Sequence, residues 1–373
     1  MIIKSETLKK YCNIILQAVD SNELSILTET LQLKTENNML VMSVTNKEYF
    51  AKVKLDLAQL EDFHATVNAN LFLKLVSQIT TSDIELLVDS NSMIVKGNGT
   101  YKLPLIFDND KLLDLPEIKI SNPVNELDIN SSILNSILQF NSKELLKGTI
   151  SKPVQKLYYV DEQGAITFTS GACVNSFTLT KPIKLLLNDR LVKLFKLFQD
   201  TEVHTTLGYD ALSDTIIQTK VQFATRDIEL TAILSCDDTL INSVPVTAIR
   251  QRANNLYNYS INLDRNCLLQ TINRLLLFNA GNGSKEILKP YSCFEFKDGA
   301  VTIWDVNKVN SETLNYNNSS ISGDYTATLN LVELKATLET CNESYLTLSF
   351  GDHSAFVLTR GNVKNVIPEI RMI

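Results

Sequence analysis

"ETLKKYCNIILQAV", residues 6–19, places Leu8, Tyr11, Cys12, Ile15, Leu16 and Val19 at steps of three and four, which predicts a helix with one apolar face. The same spacing returns in "NSSILNSILQF" (130–140) and "DRNCLLQTINRLLLF" (264–278). An extended segment follows each: "MLVMSVTNKEYFAKVKL" (39–55), "AITFTSGACVNSFTL" (165–179) and "AVTIWDVNKVNSETL" (300–314). A second helix is then expected at "NLFLKLVSQI" (70–79), "NDRLVKLFKLF" (188–198) and "NLVELKATL" (330–338), with Asn70, Asn188 and Asn330 as N-caps. Strands close the unit, as in "SMIVKGNGTYKLPLIF" (92–107), where Gly97, Asn98 and Gly99 signal a hairpin turn.

Two independent landmarks give one period. Leu8, Ile133 and Leu268 are separated by 125 and 135 residues, and Thr45, Thr169 and Trp304 by 124 and 135. The chain is therefore expected to be α+β, with one unit written three times, each copy carrying two helices on one face of an antiparallel sheet. Proline-bearing stretches at "LPEIKISNP" (115–123) and "INSVPVT" (241–247) place the domains at 1–122, 123–244 and 245–373.

With 373 residues, 44% hydrophobic and 21% charged, the chain can build several cores. No run of about 18 apolar residues occurs, and "MIIKSETLKK" carries Lys4 and Glu6 where a signal peptide is apolar, so a cytosolic protein without membrane contact is expected. Cys12, Cys173, Cys236, Cys267, Cys293 and Cys341 are widely spaced and read as reduced, mostly buried thiols. The histidines His64, His204 and His353 fit no ligand pattern, "NAGNGSKE" (279–286) lacks phosphate-loop spacing, and Ser170 lacks the flanks of a nucleophile elbow. No catalysis, cofactor or metal is expected.

The net charge of −7 excludes a general polyanion binder, so any nucleic-acid surface must be local. Arg190, Lys193 and Lys196 recur every three residues opposite Leu191, Leu194, Phe195 and Phe198. Lys9, Lys10, Lys74, Arg265, Arg274 and Lys335 take polar positions on the other helices. Repetition over equivalent helices points to a phosphate-facing surface that carries no sequence information.

The triplicated unit resembles the bacterial-type DNA polymerase sliding clamp family, the beta clamps, over the whole chain. "LYYVDEQGAITFTSGACV" (157–174) is similar to their second-domain segment, "GTYKLPLIFDNDKLLDLPEI" (99–118) to the end of their first domain, and "VIPEIRMI" (366–373) to a C-terminus reading approximately Val-Met-Pro-Met-Arg-Leu. The likeness departs at "DSNELS" (20–25), where clamps carry an arginine, and at Ala172 and Cys173, where they carry a basic residue or histidine.

The resemblance implies a head-to-tail homodimer whose six domains close around double-stranded DNA, a processivity factor serving a replicative DNA polymerase and a clamp loader. It implies a pocket for short hydrophobic peptides at Val160, Thr169, Gly171, Val174, Ile249, Val366, Ile367 and Pro368. Gly171 is expected to keep that pocket open, and deletion of residues 365–373 to remove it while sparing the ring. Tyr158, Tyr159 and Arg250 are implied as further DNA contacts, and Tyr101, Leu103, Leu277 and Phe278 as the dimer interface. A three-repeat protein-interaction scaffold that does not encircle DNA is the alternative.

Overall fold

Among the described residues a strand runs into a helix without a linker six times. The computed structural model describes residues 1–20, 25–57, 61–139, 157–168, 171–199, 201–213, 216–234, 242–279, 290–317, 321 and 323–370. The strands Ile2–Lys4, His64–Asn68, Pro123–Asn130, Lys184–Asn188, Tyr259–Asp264 and Tyr325–Asn330 run directly into helices α1 (Ser5–Leu16), α2 (Ala69–Gln78), α3 (Ser131–Gln139), α4 (Asp189–Lys193), α6 (Arg265–Asn279) and α7 (Leu331–Thr340). At four of these junctions the last residue of the strand serves as the cap, whereas Lys4 before α1 makes no side-chain cap bond. Asn68 accepts from Leu71 N, Asn130 from Ser132 N, Asp264 from Cys267 N and Asn330 from Val332 N, each satisfying an orphan donor of a first turn. The expected cap at Asn330 is found, whereas α2 is capped by Asn68 rather than Asn70, because the strand carries on to residue 68.

Each extended segment read from the sequence is a β-hairpin. In the first, Asn46 Oδ1 accepts from Glu48 N and Tyr49 N between the strands Met39–Thr45 and Tyr49–Asp56. In the third, the Asp305 carboxylate gathers the amides of Asn307, Val309 and Asn310 between Ala300–Trp304 and Ser311–Asn315. The tight turn expected at 97–99 joins Ser92–Lys96 to Thr100–Pro104, with Lys96 opposite Thr100.

The residues fall into two compact units. One, Met1–Asn135 with Arg190–Asp237, holds an eight-stranded sheet in the order Pro123–Asn130, Glu202–Ser213, Ile216–Ala224, Ile228–Leu234, Tyr49–Asp56, Met39–Thr45, Thr30–Glu36, His64–Asn68. It also holds a four-stranded sheet, Ile2–Lys4, Asp83–Val88, Ser92–Lys96, Thr100–Pro104, and a ribbon of Phe107–Asp108 with Lys111–Leu112. The other, Ser136–Asp189 with Asp238–Ile373, holds an eight-stranded sheet in the order Lys184–Asn188, Leu157–Asp161, Gly164–Phe168, Ala172–Ser176, Val363–Pro368, Ala355–Arg360, Tyr345–Phe350, Tyr259–Asp264. Its four-stranded sheet runs Ser311–Asn315, Ala300–Trp304, Tyr291–Lys297, Tyr325–Asn330.

The structural repeat is half the size of the repeat in the sequence. Each eight-stranded sheet is two four-stranded groups fused edge to edge, and with the two separate sheets this makes six groups built by one rule. One edge of a group is the strand that feeds a helix, and the opposite edge is the last strand of a three-stranded meander. Fusion joins meander edges, Ile228–Leu234 to Tyr49–Asp56 and Ala172–Ser176 to Val363–Pro368.

Burial explains which helix faces point inward. Leu8, Cys12 and Ile15 of α1 and Phe72, Leu73 and Val76 of α2 are buried, and the two helices touch. In the second unit, Leu268, Ile272 and Leu275 of α6 and Leu331, Leu334 and Leu338 of α7 close over Phe296, Phe350 and Phe356, whose rings lie 4.5 to 6.0 Å apart. Of the cysteines, Cys12, Cys173, Cys293 and Cys341 are buried, Cys267 is exposed, and Cys236 lies outside the described residues.

Candidate functional site

The C-terminal strand Val363–Pro368 is central rather than peripheral. Val366 lies opposite Ala172 on one side and Val357 on the other, and Ile367 lies opposite Phe356. It is the strand that fuses the two groups of its sheet. Side chains alternate between sheet faces and directly paired residues share a face. The register therefore sets Val366 and Pro368 with Ala172, Val174, Ile166, Tyr159 and Asp161, and sets Ile367 with Cys173, Thr167, Val160 and Tyr158.

That parity corrects the expected pocket. Ile367 belongs to the core beneath α6 and α7, and Val160 is buried on the same face, so neither can line a groove with Val366. Gly171 has a different reason to be glycine from the one expected. A Cβ there would stand 1.9 Å from the Val366 carbonyl oxygen and 2.9 Å from Pro368 Cδ, so the close approach of the terminal strand requires it. Thr169 lies outside the described residues. Val174 and Val366 remain on one face as a buried floor, with Pro368 and Ile249 partly exposed.

Ile249 stands on α5 (Val246–Ala253), a helix formed by the linker where the sequence suggested only a domain boundary. The helix rests on the strands Ala172–Ser176 and Val363–Pro368. Arg250 Nη1 and Nη2 donate to the Asp161 carboxylate at 2.8 and 2.5 Å, Nη1 also meets Gln163 Oε1 at 3.2 Å, and Lys364 Nζ donates to Asn254 Oδ1 at 2.7 Å. Arg250, expected as a DNA contact, is thus engaged in an ion pair within its own unit. A cleft of about 850 Å³ lies beside this pair, bordered by Tyr159, Gln163, Lys184, Val246, Ala248 and Asn254. Burial, helped by the Asp161 carboxylate, pushes the Tyr159 hydroxyl up to about 12.

Both tyrosines are removed from any phosphate-facing surface. Tyr158 and Tyr159 are buried on opposite faces of the sheet, and Tyr158 donates to Asp189 at 3.4 Å. Burial, with Asp189 beside it, raises the Tyr158 hydroxyl above its ordinary range.

The arginines also have internal partners. Arg265 Nε donates to the Leu338 carbonyl at 2.9 Å, closing the end of α7, and Arg274 forks onto Glu312 with two bonds of 2.6 Å. Arg190 reaches Asp20 at 3.2 Å and Glu48 at 3.8 Å. Replacing Arg190 with Ala is expected to destabilise the protein by about 1–2 kcal/mol, since the buried Asp20 loses a charged partner. Denaturant unfolding checks this, and an unchanged midpoint refutes it.

The lysines are mostly open to solvent. Lys10, Lys74, Lys193 and Lys196 are exposed, Lys9 is half-buried, and the Lys10 ammonium lies 5.5 Å from the Tyr11 ring. After α4 the chain tightens into a 3-10 turn, Leu194–Leu197, whose period of three residues keeps Lys193 and Lys196 on one side and buries Leu191, Leu194 and Leu197 on the other.

Of the expected interface residues, Leu103 is 2% exposed and belongs to its own core, which corrects that assignment. Leu277 and Phe278 are 72% and 54% exposed at the end of α6, one turn beyond Arg274, whose Glu312 partner sits on the edge strand Ser311–Asn315. Tyr101 is exposed on the edge strand Thr100–Pro104. Sequence reading missed the edge strand Ser311–Asn315 and Asp161, because strand order and partners distant in sequence leave no local signal.

Among the described residues no group of three or more His, Cys, Asp or Glu could hold a metal, and no helix is long and apolar enough to cross a membrane. No family model matches the chain. One curated relative, the beta sliding clamp of Mycoplasmopsis pulmonis, is 25% identical over 149 residues, and the match covers 39% of this chain and 36% of that protein. Solved structures similar over 100% of this chain and 99% of theirs include the DnaN sliding clamp of Pseudomonas aeruginosa bound to griselimycin (TM-score 0.78, 14% identity). The DNA polymerase III beta subunit of Thermotoga maritima (0.77, 11%) and the beta chain of Streptococcus pneumoniae (0.76, 16%) cover the same shares. Over its whole length the chain has the sliding-clamp fold of the bacterial DNA polymerase III beta subunits.

Proposed function

We propose that two copies of this chain close head to tail into a ring around duplex DNA and that the ring tethers a replicative DNA polymerase without catalysing a reaction itself. The observation that carries this is the pair of unfused sheets. Of six four-stranded groups, four are joined at their meander edges, and the two left over present Thr100–Pro104 and Ser311–Asn315 as open edges. Open edges invite strand pairing. Joining one copy's Thr100–Pro104 to the other's Ser311–Asn315 makes the same eight-stranded junction that the chain twice makes within itself, and the exposed Tyr101, Leu277 and Phe278 lie at those edges. In this reading residues 1–122, 123–244 and 245–373 are the three clamp domains of a cytosolic replication protein.

The exposed lysines of α1, α2 and α4 would face the phosphates, and Ile249 and Pro368 over Val174 and Val366 would receive short hydrophobic peptides of the polymerase and of a loader that opens the ring. The test is retention on a nicked DNA circle with release on linearisation, read together with the solution mass. A monomer that is never retained on the circle sinks the proposal. Replacing Lys74, Lys193 and Lys196 with glutamate is expected to lower the salt slope of DNA association by about 0.9 for each phosphate no longer neutralised, leaving peptide affinity unchanged. An unaltered slope would exclude these lysines from the DNA surface.

A further inference from the structure

Helix α5 has almost nothing apolar to hold it. Of its eight residues only Ala253 is buried, and its N-cap, Pro245, makes no side-chain cap bond. An eight-residue helix is too short to persist on propensity alone. What fixes it is charge: the Arg250 fork on Asp161, whose side chains are 17% and 6% exposed, with Gln163 beside it and Lys364 bonded to Asn254 at the far end.

We infer that the Arg250–Asp161 pair is the positioning device of the peptide pocket, setting where α5, and with it the Ile249 wall, stands over the Val174 and Val366 floor. Arg250 and Asp161 need not touch the peptide. The fork fixes the helix because two parallel N–H···O bonds to a buried carboxylate define both distance and rotation, which one apolar contact does not. Asp161 is on the same sheet face as Val174 and Val366, so the tether and the floor share one rigid strand register.

The inference rests on the peptide-pocket reading, and the experiment separates the two. Hydrogen exchange of the Ile249 and Asn254 amides, which bond the Pro245 and Arg250 carbonyls, is measured in the full-length protein alongside calorimetry with a short peptide bearing glutamine, leucine and phenylalanine. Arg250→Met is expected to speed exchange in α5 about tenfold and weaken the peptide about tenfold, with the strands Leu157–Asp161 and Gly164–Phe168 exchanging as before. The charge-reversed pair Asp161→Arg with Arg250→Asp should recover most of both losses, which a simple loss of packing would not. Unchanged α5 exchange in Arg250→Met overturns the inference, as does faster exchange with undiminished peptide affinity. If the wild-type protein binds no peptide, the pocket reading and the inferred role in it fall together, while the exchange data still report whether the pair holds the helix.

Discussion

Deleting residues 365–373 is expected to unfold the second unit instead of merely removing a pocket wall. The deletion takes Val366 and Ile367 out of a strand paired on both sides and leaves only Val363 and Lys364 between Ala172–Ser176 and Ala355–Arg360. Burying two such side chains is worth about 1.5–3 kcal/mol each, and the lost ladder bonds add about 1 kcal/mol apiece. The sum is comparable to the roughly 5–15 kcal/mol that holds a domain together. Circular dichroism melting should therefore show an early, broad transition, and peptide binding should vanish for that reason alone. The deletion cannot test the pocket. Ile249→Asp can, because Ile249 is partly exposed on α5: the peptide should be lost and the melting curve kept. A deletion variant that melts like the wild type would show that the terminal strand does not stitch the sheet.

If two copies pair as proposed, charging the end of α6 is expected to keep them apart. In a head-to-tail pair each chain supplies both halves of an interface, so one substitution acts at two junctions. Leu277→Asp with Phe278→Asp removes two apolar anchors worth about 1.5–3 kcal/mol each and places carboxylates where their burial costs several kcal/mol more, roughly. Both side chains are already exposed in the single chain, so the monomer should stay folded. Sedimentation should give the mass of one chain at micromolar concentration, with unchanged melting of secondary structure and no retention on circular DNA. Leu103→Asp is the contrast, since Leu103 is buried in its own core and its replacement should abolish folding. A double variant that sediments at twice the chain mass places the interface elsewhere.

What the sequence determined by itself was local and periodic. Helix faces follow from apolar residues three and four apart, strand-to-helix junctions from an asparagine or aspartate placed to accept from the first turn, and hairpins from polar turn residues between alternating runs. These depend on neighbours along the chain, and they gave the repeat, the α+β class and the exposed lysines. Tertiary structure decided the rest. Whether Ile367 faces a pocket or the core turns on sheet register, where a shift of one residue exchanges the faces. Arg250 meets Asp161, a partner 89 residues away, and Arg274 finds Glu312 at a separation of 38. Gly171 reads as an open site until the terminal strand is seen to pass within van der Waals reach of it. Periodicity fixes which residues share a face of one element, but Coulomb attraction, edge pairing and close packing act through space, and only the folded chain sets those distances.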